Sequence, residues 1–107
     1  MTVSFDDWQK IELRTAEVIG AEAHPGADRL LVLRVRLGEE ERQLVAGVRA
    51  HYEPEALVGR TIIIASNLEP AVIRGVESQG MMLAVKDGDR VVHLTTDGPV
   101  ASGLRVT

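Results

Sequence analysis

Apolar and polar residues alternate at period two in several short runs of this chain, each bounded by residues that turn a backbone. The pattern predicts strands, with helix in the minority. Ile11-Glu12-Leu13-Arg14-Thr15-Ala16-Glu17-Val18-Ile19 reads as a first strand, followed by the turn His24-Pro25-Gly26-Ala27-Asp28. Arg29 to Leu37 reads as the second. Successive side chains on a strand point to opposite sides, so Leu31, Leu33, Val35 and Leu37 share one face, while Arg34 and Arg36 share the other with Val32. Gly38-Glu39-Glu40-Glu41 reads as a hairpin loop and Gln43 to Val48 as the third strand.

Tyr52 to Leu57 predicts one short helical turn, with Pro54 early, where a missing N–H does no harm, and Gly59 as its stop. Thr61-Ile62-Ile63-Ile64-Ala65-Ser66 is apolar and β-branched, as in a strand buried on both faces, and Gly80 to Val85 makes a fifth strand. Three strands, a helix and two strands is the order of the OB-fold, a five-stranded Greek-key barrel. The expected class is therefore all-β with minor helix, in one domain over residues 1–107. The barrel covers about 11–86, and 87–107 forms a C-terminal hairpin extension available for a subunit contact. Ser4-Phe5-Asp6-Asp7-Trp8 predicts a short N-terminal helix with Ser4 as N-cap, Phe5 and Trp8 plugging one end of the barrel.

Composition narrows the functional classes. With 107 residues and 45% apolar content, the chain has room for one core. No apolar run approaches the roughly 20 residues that cross a bilayer. The acidic N-terminus lacks the features of a targeting signal, which predicts a cytoplasmic protein. Absence of cysteine removes disulfides, thiolate metal sites and cysteine nucleophiles. The net charge of −4 has the wrong sign for indiscriminate coating of nucleic acid, but its distribution is uneven. Residues 1–28 carry Lys10 and Arg14 against six acids, whereas 29–49 carry Arg29, Arg34, Arg36, Arg42 and Arg49 against Glu39, Glu40 and Glu41. Ten of the 12 basic residues are arginine, whose planar fork matches phosphate.

Catalytic chemistry finds little support. His24, His51 and His93 have no metal-ligand spacing and read as surface histidines. Glu77-Ser78-Gln79-Gly80 is not a nucleophile elbow, and there is no glycine-rich phosphate loop. Glu39-Glu40-Glu41 reads as a solvated hairpin tip. No enzyme, metal or cofactor is expected. Phe5, Trp8 and Tyr52 are the only aromatics, so the barrel offers almost no platform for stacking unpaired bases. Arginines without rings suit a folded RNA gripped by backbone and shape.

Asn67-Leu68-Glu69-Pro70 and Ile73-Arg74-Gly75-Val76-Glu77-Ser78-Gln79-Gly80-Met81-Met82-Leu83-Ala84 resemble the signature of the tRNA-binding domain family. Ile11-Glu12-Leu13-Arg14, His24-Pro25-Gly26-Ala27-Asp28-Arg29-Leu30, residues 38–47 and residues 54–59 resemble further family blocks in family order, so the resemblance spans nearly the whole chain. It implies an OB-fold, frequently a homodimer, that binds the folded body of tRNA. Such a domain assists an aminoacyl-tRNA synthetase, here methionyl-tRNA synthetase, in cis or in trans. It also implies an RNA surface that includes Arg34, Arg36, Arg42, Asn67, Arg74, Ser78 and Met81. For Asn67, Ser78 and Met81, turn capping, local backbone bonding and barrel filling are the alternatives. Glu17, Glu69 and Val72 stand where family members often carry a cation, which implies loose, salt-sensitive binding. The competing class is a protein-interaction module, either an export-chaperone-like peptide binder or a synthetase-docking subunit. Length and Met1 suit a free-standing protein, and a terminal fragment of a synthetase would look the same.

Overall fold

The alternating runs become nine strands and two short helices in the computed structural model, which describes residues 1–107. In order these are α1 (Phe5–Gln9), β1 (Leu13–Ala23), β2 (Leu31–Leu37), β3 (Glu40–Ala46), α2 (Pro54–Leu57), β4 (Thr61–Ala65), β5 (Ala71–Ile73), β6 (Val76–Ser78), β7 (Met81–Met82), β8 (Ala84–Asp87) and β9 (Arg90–His93). No helix is long and apolar enough to cross a membrane.

β1 serves two neighbours. Its first part pairs antiparallel with β4, Leu13 opposite Ala65, and its second part with β2, Ala23 opposite Leu31. Between Val18 and Gly20 the register slips, and an extra residue of this kind bends a strand and increases its twist. The main sheet runs β3-β2-β1-β4-β7, all antiparallel, and is curled into a half-barrel of OB-like fold with α2 between β3 and β4. Inside it lie Leu31, Leu33, Val35 and Leu37, on one face of β2 as the alternation predicts, with Leu44, Leu57, Ile62 and Ile64. Full burial of each such side chain is worth about 1.5–3 kcal/mol.

Closure between β3 and the end of β6 with the link that follows it is made largely by side chains. Ser78 Oγ accepts the Val45 N–H at 2.9 Å and donates to Gly80 O. Gln79 Oε1 accepts the Gln43 N–H, while the Gln79 N–H donates to Gln43 O at 2.8 Å and Gln43 Nε2 donates to Glu77 O. Gly80, at φ 152°, passes so close to the wall that an added Cβ would lie 3.1 Å from Ala65 O.

The C-terminal residues complete the free edge of β1. Gly103 N–H donates to Thr15 O at 2.7 Å, Thr15 N–H to Leu104 O, and Val106 N–H to Leu13 O. Thr15 Oγ1 donates to Ala101 O, and Ser102 Oγ accepts the Gly38 N–H.

Several expectations are corrected. β1 starts at Leu13 and continues to Ala23, because the bulge lets it run past Ile19. β2 starts at Leu31, and β3 spans Glu40–Ala46, so Glu40 and Glu41 are strand residues facing arginines rather than a hairpin tip. The fifth strand is split, β7 pairing with β4 and β8 with β9. The hairpin β5–β6 lies where no strand is expected. α1 buries no residue, and Phe5 is 69% exposed, so the helix is no plug. His24 and His93 are buried, each satisfied by hydrogen bonds, rather than on the surface.

Candidate nucleic-acid interface

The turn after β1 is held by the buried His24. A backbone N–H can only donate, and Gly26 N lies 2.9 Å from His24 Nδ1, so Nδ1 is the acceptor and Nε2 carries the proton donated to Ile73 O. The imidazole thereby staples the β1–β2 loop to the β5–β6 hairpin. At the two-residue tip of that hairpin, Arg74 (φ 52°) and Gly75 (φ 86°) both lie at positive φ, the requirement of a tight hairpin turn. Arg74 is the only non-glycine residue at positive φ, a conformation that costs about 1 kcal/mol or more and is concentrated at functional sites.

Two guanidinium groups bond this stapled loop, and a third arginine, Arg29, stands near its end. Arg74 Nη2 donates to Gly26 O at 3.3 Å, and Arg49 Nη1 donates to Ala27 O at 3.2 Å. Arg29 and Arg74 line one shallow cleft of about 240 Å³ with Ala27, Asp28 and Leu30. None of the three arginines forms an ion pair. Their charge is therefore available to an outside anion: Arg29 and Arg74 stand in the loops between the first two and the last two barrel strands, which flank the oligonucleotide face of OB-folds, and Arg49 reaches the first of these from the β3–α2 connection.

Arg34 and Arg36 both project from the outer face of β2, but each has a carboxylate beside it. Arg36 Nη1 is 2.8 Å from Glu17 Oε1, and Arg34 Nε is 3.7 Å from Glu41 Oε1. Gly20 leaves space for the Arg34 guanidinium to lie across β1, Nη2 standing 3.6 Å from where a Cβ would be. Exposed pairs of this kind hold their partners by only about 0–1 kcal/mol, so both guanidiniums remain exchangeable.

Arg42, Asn67 and Ser78 serve the architecture. Arg42 Nη1 donates to Ser66 O and Gln79 O, and Nη2 pairs with Glu40 at 3.2 Å. Asn67 Oδ1 accepts the Glu12 N–H at 2.8 Å while its amide donates to Lys10 O, tying the start of the loop before β5 to the N-terminal segment. Ser78 is buried in the closing seam. Met81 is 52% exposed and shares a cleft of about 200 Å³ with Leu68, Ala71 and Ile73. The structure thus gathers Arg42 and Ser78 at the seam, leaves Arg34 and Arg36 on the β2 face, and sets Arg74 on a separate cluster. Arg29 and Arg49 are the members of that cluster not singled out from the sequence. The excess of arginine over 29–49 contains both, but alternation draws attention to the strand positions between them.

The family model described as "Putative tRNA binding domain" matches residues 13–105. The chain is 52% identical over 104 residues, 97% of its length, to the methionine–tRNA ligase of Thermococcus kodakarensis. It spans 14 to 17% of the length of the curated ligases it matches. Its structure matches that of a MetRS-related protein from Pyrococcus horikoshii with a TM-score of 0.93 at 32% identity, over 100% of this chain and 99% of that one. A chaperone CsaA from Bacillus anthracis matches with a TM-score of 0.90 at 27% identity, over the whole of both chains. A curled OB-like sheet and a family match from β1 to the C-terminal segment lead to one assignment: the chain belongs to the tRNA-binding domain family.

Proposed function

We propose that this chain is a non-catalytic module that binds the folded body of tRNA by backbone and shape. We further propose that it assists an aminoacyl-tRNA synthetase, methionyl-specific, in the cytoplasm, in cis or in trans. The observation that carries this reading is the convergence of Arg29, Arg49 and Arg74, without carboxylate partners, on the loops that OB-folds use for nucleic acid. Arg34 and Arg36 extend the contact along β2, and Met81 adds an apolar contact at its margin. Arg42, Asn67 and Ser78 fix the surface's shape while bordering it. The reading is tested by amide and guanidinium NMR shifts on adding folded tRNA. Changes concentrated at Arg29, Arg49, Arg74 and Met81 are expected, and changes confined to other surfaces would overturn it.

The carboxylates on the β2 face tune this contact. Glu17→Gln frees Arg36 from its 2.8 Å partner and removes a negative charge from the surface. The variant binds folded tRNA roughly two- to five-fold more tightly at low salt, the scale of one exposed ion pair, with a steeper salt dependence. Titrations of wild type and variant at matched ionic strength check this.

We also propose a homodimer, a reading supported by the face left open by α1. Phe5, Trp8, Ile11, Leu104 and Val106 are all exposed, and most of them line an apolar-walled cleft of about 400 Å³ between α1 and the C-terminal segment. Apolar surface gathered in this way is what a second copy would cover. Light scattering at micromolar concentration gives a dimer mass for wild type and a monomer mass for Trp8→Asp.

A second reading, an export-chaperone-like peptide binder or protein-docking subunit, is favoured by the apolar cleft of Leu68, Ala71, Ile73 and Met81 beside Glu69 and the exposed Val72. Binding of an unfolded apolar peptide that persists when tRNA binding fails would favour it.

A further inference from the structure

Outside the basic loops, Arg60 occupies a second setting built for an anion. It precedes β4 and has no carboxylate partner. Its guanidinium carbon lies 5.6 Å from the centroid of the Tyr52 ring, within reach of a cation–π attraction. On another side, Arg60 Nη1 faces His93 Nε2 at 3.4 Å. The imidazole has its orientation set: Nδ1 stands 2.9 Å from Leu94 O, a carbonyl only accepts, and so Nδ1 carries the proton and Nε2 presents its lone pair to the arginine. Tyr52 Oη accepts the His93 N–H at 3.1 Å, fixing ring and imidazole to each other. The guanidinium is thus positioned by two buried or half-buried groups, while its Nε and Nη2 donors find no acceptor in the protein.

Arg60 lines a cleft of about 450 Å³ together with Thr61, Thr95, Thr96, Gly98 and Pro99, and no carboxylate lines it. Asp97 lies in the same loop but does not line it. The hydroxyls of Thr95 and Thr96 are turned away, donating to Thr61 O and Gly98 O, and so hold the loop in place. The backbone N–H groups of Thr95, Thr96 and Gly98 donate to no acceptor in the protein, and the Thr61 hydroxyl is likewise unengaged. A fixed guanidinium with two spare donor positions, lining one cleft with a loop of spare backbone N–H groups, is the donor set that a tetrahedral oxyanion accepts.

We propose that this cleft is a second anion site that takes a phosphate group, supplied either by the backbone of an RNA or by a phosphorylated small molecule. None of its residues belongs to the cluster of Arg29, Arg49 and Arg74, so the site stands whether or not the tRNA reading does.

Inorganic phosphate titrated into the full chain, followed by 1H–15N NMR, tests it. Saturable shifts are expected at the Thr95, Thr96 and Gly98 amides and at Arg60 Nε–H. Arg60→Gln weakens the fitted affinity about tenfold, and Arg60→Lys, which keeps the charge without the fork, weakens it less. If the Arg60→Gln spectrum departs from wild type elsewhere, Thr61→Val replaces it, with a loss of a few-fold from one missing hydroxyl donor. Repeating the titration with saturating folded tRNA separates the sources. Suppressed phosphate shifts assign the site to RNA phosphates, and shifts that persist assign it to a separate phosphorylated ligand. Absence of saturable shifts at these residues, or equal affinity in wild type and well-folded variants, overturns the proposal.

Discussion

Alanine at Arg29, Arg49 and Arg74 together lowers the affinity for folded tRNA about a hundredfold at low salt and flattens the plot of log K against log salt by about 2 to 3. The magnitude follows from the charge state of the cluster. Each phosphate neutralised releases condensed counterions and adds nearly one to the salt slope, provided the cation was not already neutralised by the protein. Arg49 and Arg74 donate to loop carbonyls, and none of the three arginines forms an ion pair, so each brings its whole charge. Arg34 and Arg36 must give up Glu41 and Glu17 first, so alanine at both costs less affinity and less slope per arginine removed. Arg74→Ala alone removes about one contact and leaves the strain of the hairpin tip in place, since φ 52° suits alanine no better than arginine. Titrating the triple variant and the Arg34/Arg36 double variant at several salt concentrations ranks the two surfaces.

Gly103→Ala destabilises the fold by about 2–4 kcal/mol, through strain at a special backbone position combined with a steric clash. At φ 84° a side chain is disfavoured in any case, and the added Cβ would stand 2.7 Å from Gly38 N and 2.9 Å from Gly38 Cα. Neither contact is with a side chain that can swing away. Relief requires the C-terminal segment to lift from the β2–β3 turn. The Gly103 and Val106 bonds to β1 would then go, with the two bonds from Arg14 to Gly103 O. Urea unfolding gives the loss of stability, and hydrogen exchange shows the Thr15, Gly103 and Val106 amides opening first. Gly98→Ala is the control: an added Cβ there meets nothing within 4 Å, and stability changes by less than about 0.5 kcal/mol.

What was legible in the sequence is what local chemistry decides. Alternation puts Leu31, Leu33, Val35 and Leu37 inside and Arg34 and Arg36 outside because strand geometry has a period of two, and β2 follows it residue by residue. A β-branched apolar run predicts β4, whose Ile62 to Ala65 are buried on both faces. What escaped depends on partners distant in the chain. The hairpin β5–β6 has strands of three residues, too short for periodicity to register, and it is held by His24 and by the side chains of the closing seam. The acidic run at 39–41 looks like a solvated tip until Arg34 and Arg42 are seen beside it. Phe5 and Trp8 are spaced as predicted for one helix face, yet that face meets no core. Among the site residues, the motif resemblance leads to Arg74 directly, whereas Arg49 emerges only once the Ala27 carbonyl it bonds is placed in space, and Arg29 only once the cleft it shares with Arg74 is assembled.

The most direct test of the central claim is fluorescence anisotropy of labelled folded tRNA, beside a single-stranded RNA of equal length, each titrated with the wild-type chain at two salt concentrations. The account predicts tighter binding of the folded tRNA, weakened by salt, because guanidiniums on rigid loops meet a preformed backbone while few rings are present to stack unpaired bases. No binding of folded tRNA at low salt, or equal binding of the single strand, would contradict it.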